Sequence, residues 1–183
     1  MHPLIDEADV ALLRSQGMVE KDVSHSVAVA ELALDIAARL SVPLDLTLVA
    51  RGALLHDLGK VKASGMEHGR AGAEIGPTLG LPAELCSIME KHIWGGLSLE
   101  EAREFGLPQK DYTLGKLEER IIAYADKLVD IITKVGAHRQ DRRYAEEHFE
   151  QILKANAEFG KSELTMRRYC SYHREIQGLM RAG

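Results

Sequence analysis

An all-α fold, a single-domain helical bundle, is what this sequence predicts, and three observations predict it. Strand signals are absent along the 183 residues. Aromatic residues are scarce at 5% while Ala and Leu are plentiful, a balance that favours packed helices over sheets. In the segment 117–135, Ile121, Ile122, Ala125, Leu128 and Ile132 recur at helical spacing and mark the clearest helix of the chain. The domain spans 1–183, with a core at about 20–135 and C-terminal helices at about 141–180.

Each element follows from its own signals. A first helix covers about Asp6–Gln16, and Gly17 terminates it. Asp22 can cap a second helix to about Leu40, with Val27, Ala30, Leu34 and Ala37 as its buried stripe, before Ser41-Val42-Pro43 breaks it. Asp45 or Thr47 starts a third helix, which runs through Val49, Ala53 and Leu54 to His56-Asp57. Residues 61–68 are polar and contain glycine, so they read as a loop over whatever His56 and Asp57 bind. Short helices follow at about Gly69–Leu79 and Ala83–His92, divided by Gly80-Leu81-Pro82. The turn-prone Trp94-Gly95-Gly96 precedes a helical segment 98–105, which Leu107-Pro108 closes. After the long helix of about Leu117–Val135, two more at about 141–158 and 162–180 flank Gly160.

Composition narrows the function classes. Apolar residues at 45% and charged residues at 28% are ordinary for a globular chain long enough to bury a substantial core. A formal charge of −5 argues against a dedicated, broad nucleic-acid surface. Cys86 and Cys170 make neither a disulfide framework nor a paired-cysteine zinc site. No charged-then-apolar leader opens the chain, and no apolar run approaches 18 residues, so the expectation is a soluble cytoplasmic protein without membrane contact.

The most informative stretch is Leu54-Leu55-His56-Asp57-Leu58-Gly59-Lys60. Consecutive mid-helix side chains point about 100° apart and cannot easily grip one ion. At a last turn released by glycine they can converge, and imidazole plus carboxylate become a compact chelate. His25 lies upstream on an otherwise apolar helix. Downstream, Asp126 sits inside the densest apolar stripe, where a carboxylate is costly unless paired or bound to metal. A salt bridge to Arg120 is the alternative for Asp126, and Asp130 competes with it as a ligand.

His25, His56-Asp57 and Asp126 together spell H…HD…D, and in this the chain resembles the HD-domain metal-dependent phosphohydrolases. His56 to Lys60 is similar to the family's HD-hydrophobic-GK wording, and Ala125-Asp126-Lys127-Leu128 to its A-D-x-L helix; the resemblance covers roughly residues 20–135. It implies that His25, His56, Asp57 and Asp126 bind a divalent transition metal (Mn, Fe, Co, Ni or Zn), with one ion expected and two as the alternative. His68, heading Glu67-His68-Gly69-Arg70-Ala71-Gly72, resembles the H-x-x-x-G segment of the HDIG and HD-GYP subgroups. In those subgroups histidines placed like His68 and His92 help bind a second metal, with the Asp of the HD pair bridging the ions. This chain departs from them in carrying Lys91-His92-Ile93 where a His-His pair is usual, and it lacks Gly-Tyr-Pro, which argues against cyclic-di-GMP as substrate.

The chemistry suits these residue types. Neutral imidazoles and carboxylates favour borderline divalent metals, whose charge lowers the pKa of bound water and neutralises phosphate oxygens. Asp57 is placed to orient that water, and Lys60, one turn on, to hold a phosphate oxygen as a point charge. No Walker loop, G-x-S-x-G elbow or cysteine nucleophile motif competes. The expected activity is metal-dependent hydrolysis of a nucleotide or related phosphoester, phosphomonoesterase before phosphodiesterase. RNA-directed hydrolysis and a non-catalytic metal- or nucleotide-binding module stand as alternatives, and a di-iron oxidation site as a third. Trp94 can either stack on a base beside His92 or simply pack, and Gly59 reads as part of the helix stop. Oligomeric state and the role of the C-terminal helices are not legible.

Overall fold

The computed structural model describes residues 2–134 and 142–181, and among them every regular element is helical. Helix α1 (Glu7–Ser15) is capped by Asp6, whose carboxylate accepts from the Ala8 N–H. Helix α2 (Glu20–Ala37) begins two residues before the expected cap. Val19 occupies its N-cap position without a side-chain bond, and Asp22 lies in the first turn, where with Glu20 it meets the positive end of the helix dipole. Helix α3 (Leu46–Leu55) is capped by Asp45, which accepts from the Leu48 N–H at 2.9 Å. His56 ends α3, and a 3₁₀ turn follows at Leu58–Val61.

Helix α4 (Glu67–Ile75) starts two residues earlier than the expected Gly69 and yields to a 3₁₀ turn at Gly76–Leu79. His68 therefore rides on a helix instead of closing a loop. Helix α5 (Ala83–Lys91) leads into the 3₁₀ turn Ile93–Gly95. Helix α6 (Leu99–Glu104) carries a full capping box from Ser98 and Glu101. Helix α7 spans Leu117–Lys134; its expected end at Val135, and the start of the next segment at 141, lie outside the described residues. The single helix expected to about 158 is three: α8 (Arg142–Glu147), α9 (Phe149–Ala155) and α10 (Ala157–Gly160). The chain leaves helical geometry at Asn156, whose side-chain amide donates back to the Ile152 carbonyl at 2.8 Å and closes α9. Helix α11 (Glu163–Arg181) completes the chain.

Helix α2 packs between α3 and α7, and these three build the centre of the core. Ala30, Ala33, Ala50, Ala53 and Ala125 are buried where the helices meet, and such small side chains let the backbones approach closely. Around them Leu34, Ile36, Leu54, Leu55, Ile121 and Leu128 are fully enclosed, each contributing about 1.5–3 kcal/mol on leaving water. Helix α4 packs on α5 and on the turn Leu58–Val61, and α11 covers α7 and α9. None of the described helices is long and apolar enough to cross a membrane.

Candidate metal centre

Three core helices deliver the H…HD…D side chains to one point. His25 comes from α2, His56 and Asp57 from the end of α3, and Asp126 from the middle of α7. Asp57 leaves the helix at φ −96°, ψ 6°, which turns its carboxylate back towards the His56 ring. His25 Nε2 lies 3.0 Å from Asp126 Oδ1 and 3.8 Å from Asp57 Oδ2. His56 Nε2 lies 3.3 Å from Asp57 Oδ2 and 3.7 Å from Asp126 Oδ1. Arg120, the alternative partner for Asp126, is engaged with Glu175.

The other two histidines approach the second oxygen of the same carboxylate. His68 Nε2 is 3.0 Å and His92 Nε2 3.5 Å from Asp57 Oδ1, and the two imidazole nitrogens face each other at 3.1 Å. Asp57 thus turns Oδ2 to His25 and His56, and Oδ1 to His68 and His92. Sets of atoms within 4.8 Å of one another, suited to one ion each, are formed by His25, His56 and Asp57 and by Asp57, His68 and His92. A third such set, His25, Asp126 and Asp130, keeps Asp130 as a competing ligand, although it also lies 3.7 Å from Lys127 and 3.6 Å from Lys134.

The local sequence orients the rings. His56 Nδ1 donates to the Ala53 carbonyl and His92 Nδ1 to the Met89 carbonyl, each at 2.7 Å; His68 Nδ1 donates to Gly65. With that proton assigned to Nδ1, each Nε2 presents a lone pair to the cluster. The buried His56 Nε2 has no hydrogen-bond partner. Lone pairs of imidazole and carboxylate facing one another at these distances repel unless a cation lies among them, so the donor set fits a divalent metal.

Without the ion, the electrostatics of the cluster favour a proton on His56 in its place. Burial opposes charge on His56, but the negative charge of Asp57 and Asp126 outweighs it and holds the imidazole well above its usual pKa. Burial likewise pushes the Asp57 and Asp126 carboxyls up, and their histidine neighbours more than reverse it, holding both well below the carboxylate range. His92 is lowered, chiefly by burial, which keeps it neutral. Lys60, at 2.5 Å from Asp57 Oδ2, is raised because the Asp57 charge exceeds the cost of its burial.

Gly59 has a different task from the helix stop. A Cβ there would lie 1.9 Å from the His68 carbonyl oxygen and 2.4 Å from the Gly72 nitrogen, so the 3₁₀ turn and α4 touch backbone to backbone. That contact brings His68 to Asp57. The cleft around the cluster, about 480 Å³, is also lined by Asp22, Trp94, Lys127, Lys161 and Tyr169. Of these, the sequence marks Trp94 alone as a candidate ligand contact; Asp22 reads as a helix cap and Lys127 as part of the Ala125-Asp126-Lys127-Leu128 wording. Lys127 is buried beside Asp126 with its ammonium 5.0 Å from the centre of the Tyr169 ring, and a charge interrupting the apolar stripe of α7 was its one signal.

The family model "HD domain" matches residues 22–130. An uncharacterized protein of Methanocaldococcus jannaschii, MJ0778, is 38% identical over 165 residues, covering 88% of this chain and 91% of that protein. Proteins named tRNA (cytidine(56)-2'-O)-methyltransferase match at 38% identity over 120 residues in Picrophilus torridus and 40% over 117 in Thermoplasma volcanium. These matches cover 66% and 64% of this chain but only 35% and 34% of those proteins. The HD domain of the L. monocytogenes phosphodiesterase PgpH, in complex with cyclic-di-AMP, superposes with a TM-score of 0.59 at 17% identity, covering 97% of this chain and 95% of that one, a likeness of fold.

Proposed function

The chain belongs to the HD domain family, and from that membership we propose that it is a metal-dependent phosphohydrolase acting on a small nucleotide or related phosphoester, a phosphomonoesterase in preference to a phosphodiesterase. One observation carries the reading: a single buried carboxylate, Asp57, shares its two oxygens between two pairs of imidazoles. Such a donor set suits two divalent cations held side by side as well as one. When bound, those cations supply positive charge that lowers the pKa of water and neutralises phosphate oxygens. His25, His56 and Asp126 would hold one ion and His68 and His92 another, with Asp57 offering an oxygen to each. Lys60, one turn beyond Asp57 and on the wall of the cleft, would offer its ammonium to a phosphate oxygen. A cleft of about 480 Å³ suits a small-molecule ligand.

The test is elemental analysis of the purified protein together with a screen of nucleoside monophosphates and bis-(p-nitrophenyl) phosphate. Chelation removes the activity, and Mn²⁺, Co²⁺ or Ni²⁺ restores it better than Ca²⁺, which prefers all-oxygen cages. Hydrolysis that survives exhaustive chelation contradicts the reading. An RNA-directed activity is the second reading, supported by the relatives named as tRNA methyltransferases. It predicts faster turnover of an oligoribonucleotide end than of any mononucleotide.

A further inference from the structure

Among the described residues only two non-glycine residues have positive φ, Trp94 (φ 51°) and Lys161 (φ 57°), and both line the cleft that holds the histidine–aspartate cluster. The left-handed region is a genuine outlier for a bulky residue and persists only where the surrounding fold over-determines it. Around Trp94 it does. Gly95 (φ 73°) and Gly96 (φ 92°) continue the left-handed run, and α11 pins it. Arg168 donates to the Trp94 carbonyl at 3.0 Å, and the Tyr172 hydroxyl donates to the Gly95 carbonyl at 2.8 Å. These fastenings come from residues beyond the 22–130 family segment.

The indole itself is only partly buried and packs edge-on against Phe105, with ring centroids 4.9 Å apart. Trp94 thus packs on one side against the small cluster of Leu97, Ala102 and Tyr112 and on the other stands on the cleft wall, two residues after His92, on a backbone that packing alone does not require. The other residues lining the cleft are largely ligand-type side chains and lysines, suited to metal and phosphate. Of the two aromatic residues on the cleft wall, Tyr169 is buried, and the partly exposed Trp94 offers the surface that suits a flat heteroaromatic group.

We propose that Trp94 is the base-recognition residue of this cleft: its indole stacks on the nucleobase of a nucleotide whose phosphate lies at the Asp57 cluster. This deepens, and rests on, the phosphohydrolase reading. Arg168 and Tyr172 are positioning residues that act through the Trp94–Gly95 backbone.

Trp94 is the sole tryptophan, so its fluorescence reports on the cleft without any need for turnover. The metal-loaded protein is titrated with adenosine 5′-phosphorothioate and, separately, with ribose 5-phosphate. Stacking predicts saturable quenching by the nucleotide and none by the sugar phosphate; a nucleotide that saturates without changing the emission overturns the proposal. The second arm compares kcat/KM for adenosine 5′-monophosphate with that for ribose 5-phosphate. Trp94→Gly suits the left-handed backbone and shrinks the preference for the nucleotide by roughly 5- to 150-fold, whereas Trp94→Phe retains most of it. An unchanged preference in Trp94→Gly overturns the proposal. The phosphohydrolase reading fails separately, if the metal-loaded protein hydrolyses neither any of the nucleoside monophosphates nor bis-(p-nitrophenyl) phosphate, and the fluorescence arm still decides whether Trp94 binds a base.

Discussion

Asp57 meets four imidazoles and one ammonium while only 3% exposed, so its substitution is the sharpest single-residue probe of the site. Asp57→Asn keeps the shape and removes the charge. It is expected to weaken metal binding by more than the roughly 100-fold typical of an outer-shell partner, and to abolish hydrolysis. Circular dichroism should remain that of a folded helical protein, because the apolar core of α2, α3 and α7 does not pass through this carboxylate. Lys60→Ala separates a phosphate role from a metal role. Turnover is expected to fall by roughly 100-fold, the scale of one lost transition-state donor, with the metal content unchanged. A Lys60→Ala protein without metal would mean that the lysine serves the ions. The residues of the cluster were legible because His and Asp inside apolar helical stripes are conspicuous, and because their order along the chain carried the resemblance. Lys127 and Lys161 were not legible, since nothing in their neighbourhood along the sequence says that α7 and the turn before α11 face the same cleft.

Helices inside the core were readable from period and caps, and the misreadings fall where tertiary contacts outweigh local signals. Gly59 looked like a helix stop, yet what it provides is the backbone contact between the 3₁₀ turn and α4. Gly59→Ala is therefore expected to cost about 3 kcal/mol in chemical denaturation, because the clashing atoms are main chain and cannot rotate away. The same substitution should weaken the His68–His92 half of the site. The helix expected across 141–158 breaks at His148 and at Asn156, and α8 is fastened to the turn after α2 by ions: Glu146 accepts from two Arg39 guanidinium nitrogens at 2.8 Å, and within α8 from Arg142 at 3.1 Å. Burial raises the Glu146 carboxyl, but the two arginines outweigh that and hold it below its usual pKa. A lowered folded value stabilises above the unfolded pKa, roughly 4.3, and that contribution is lost as pH falls through the folded value. Arg39→Met should thus lower stability by about 1 kcal/mol at pH 7, a modest figure because Arg39 stays in contact with solvent. In acid melts the gap from the parent protein should close below about pH 4.

At the scale of the whole molecule, the helical bundle is a frame that converges side chains from α2, α3, α4, α5 and α7 on one carboxylate. All-α architecture was legible from composition and period; the covering of the cleft by α11, which lies outside the family segment, was not. Because an ion at His25, His56, Asp57 and Asp126 would join α2, α3 and α7, metal at about 100 times its Kd should raise the melting temperature by roughly 5–10 °C, and a chelator should reverse the rise. The most direct measurement is an anomalous-difference map from crystals loaded with Mn²⁺, collected with its absorption edge in view. The arrangement predicts a peak within about 2.5 Å of Asp57 Oδ2 that also contacts His25, His56 and Asp126, and a second peak on Oδ1 towards His68 and His92. A map with no peak within coordination distance of Asp57, from crystals that carry manganese elsewhere, would contradict it.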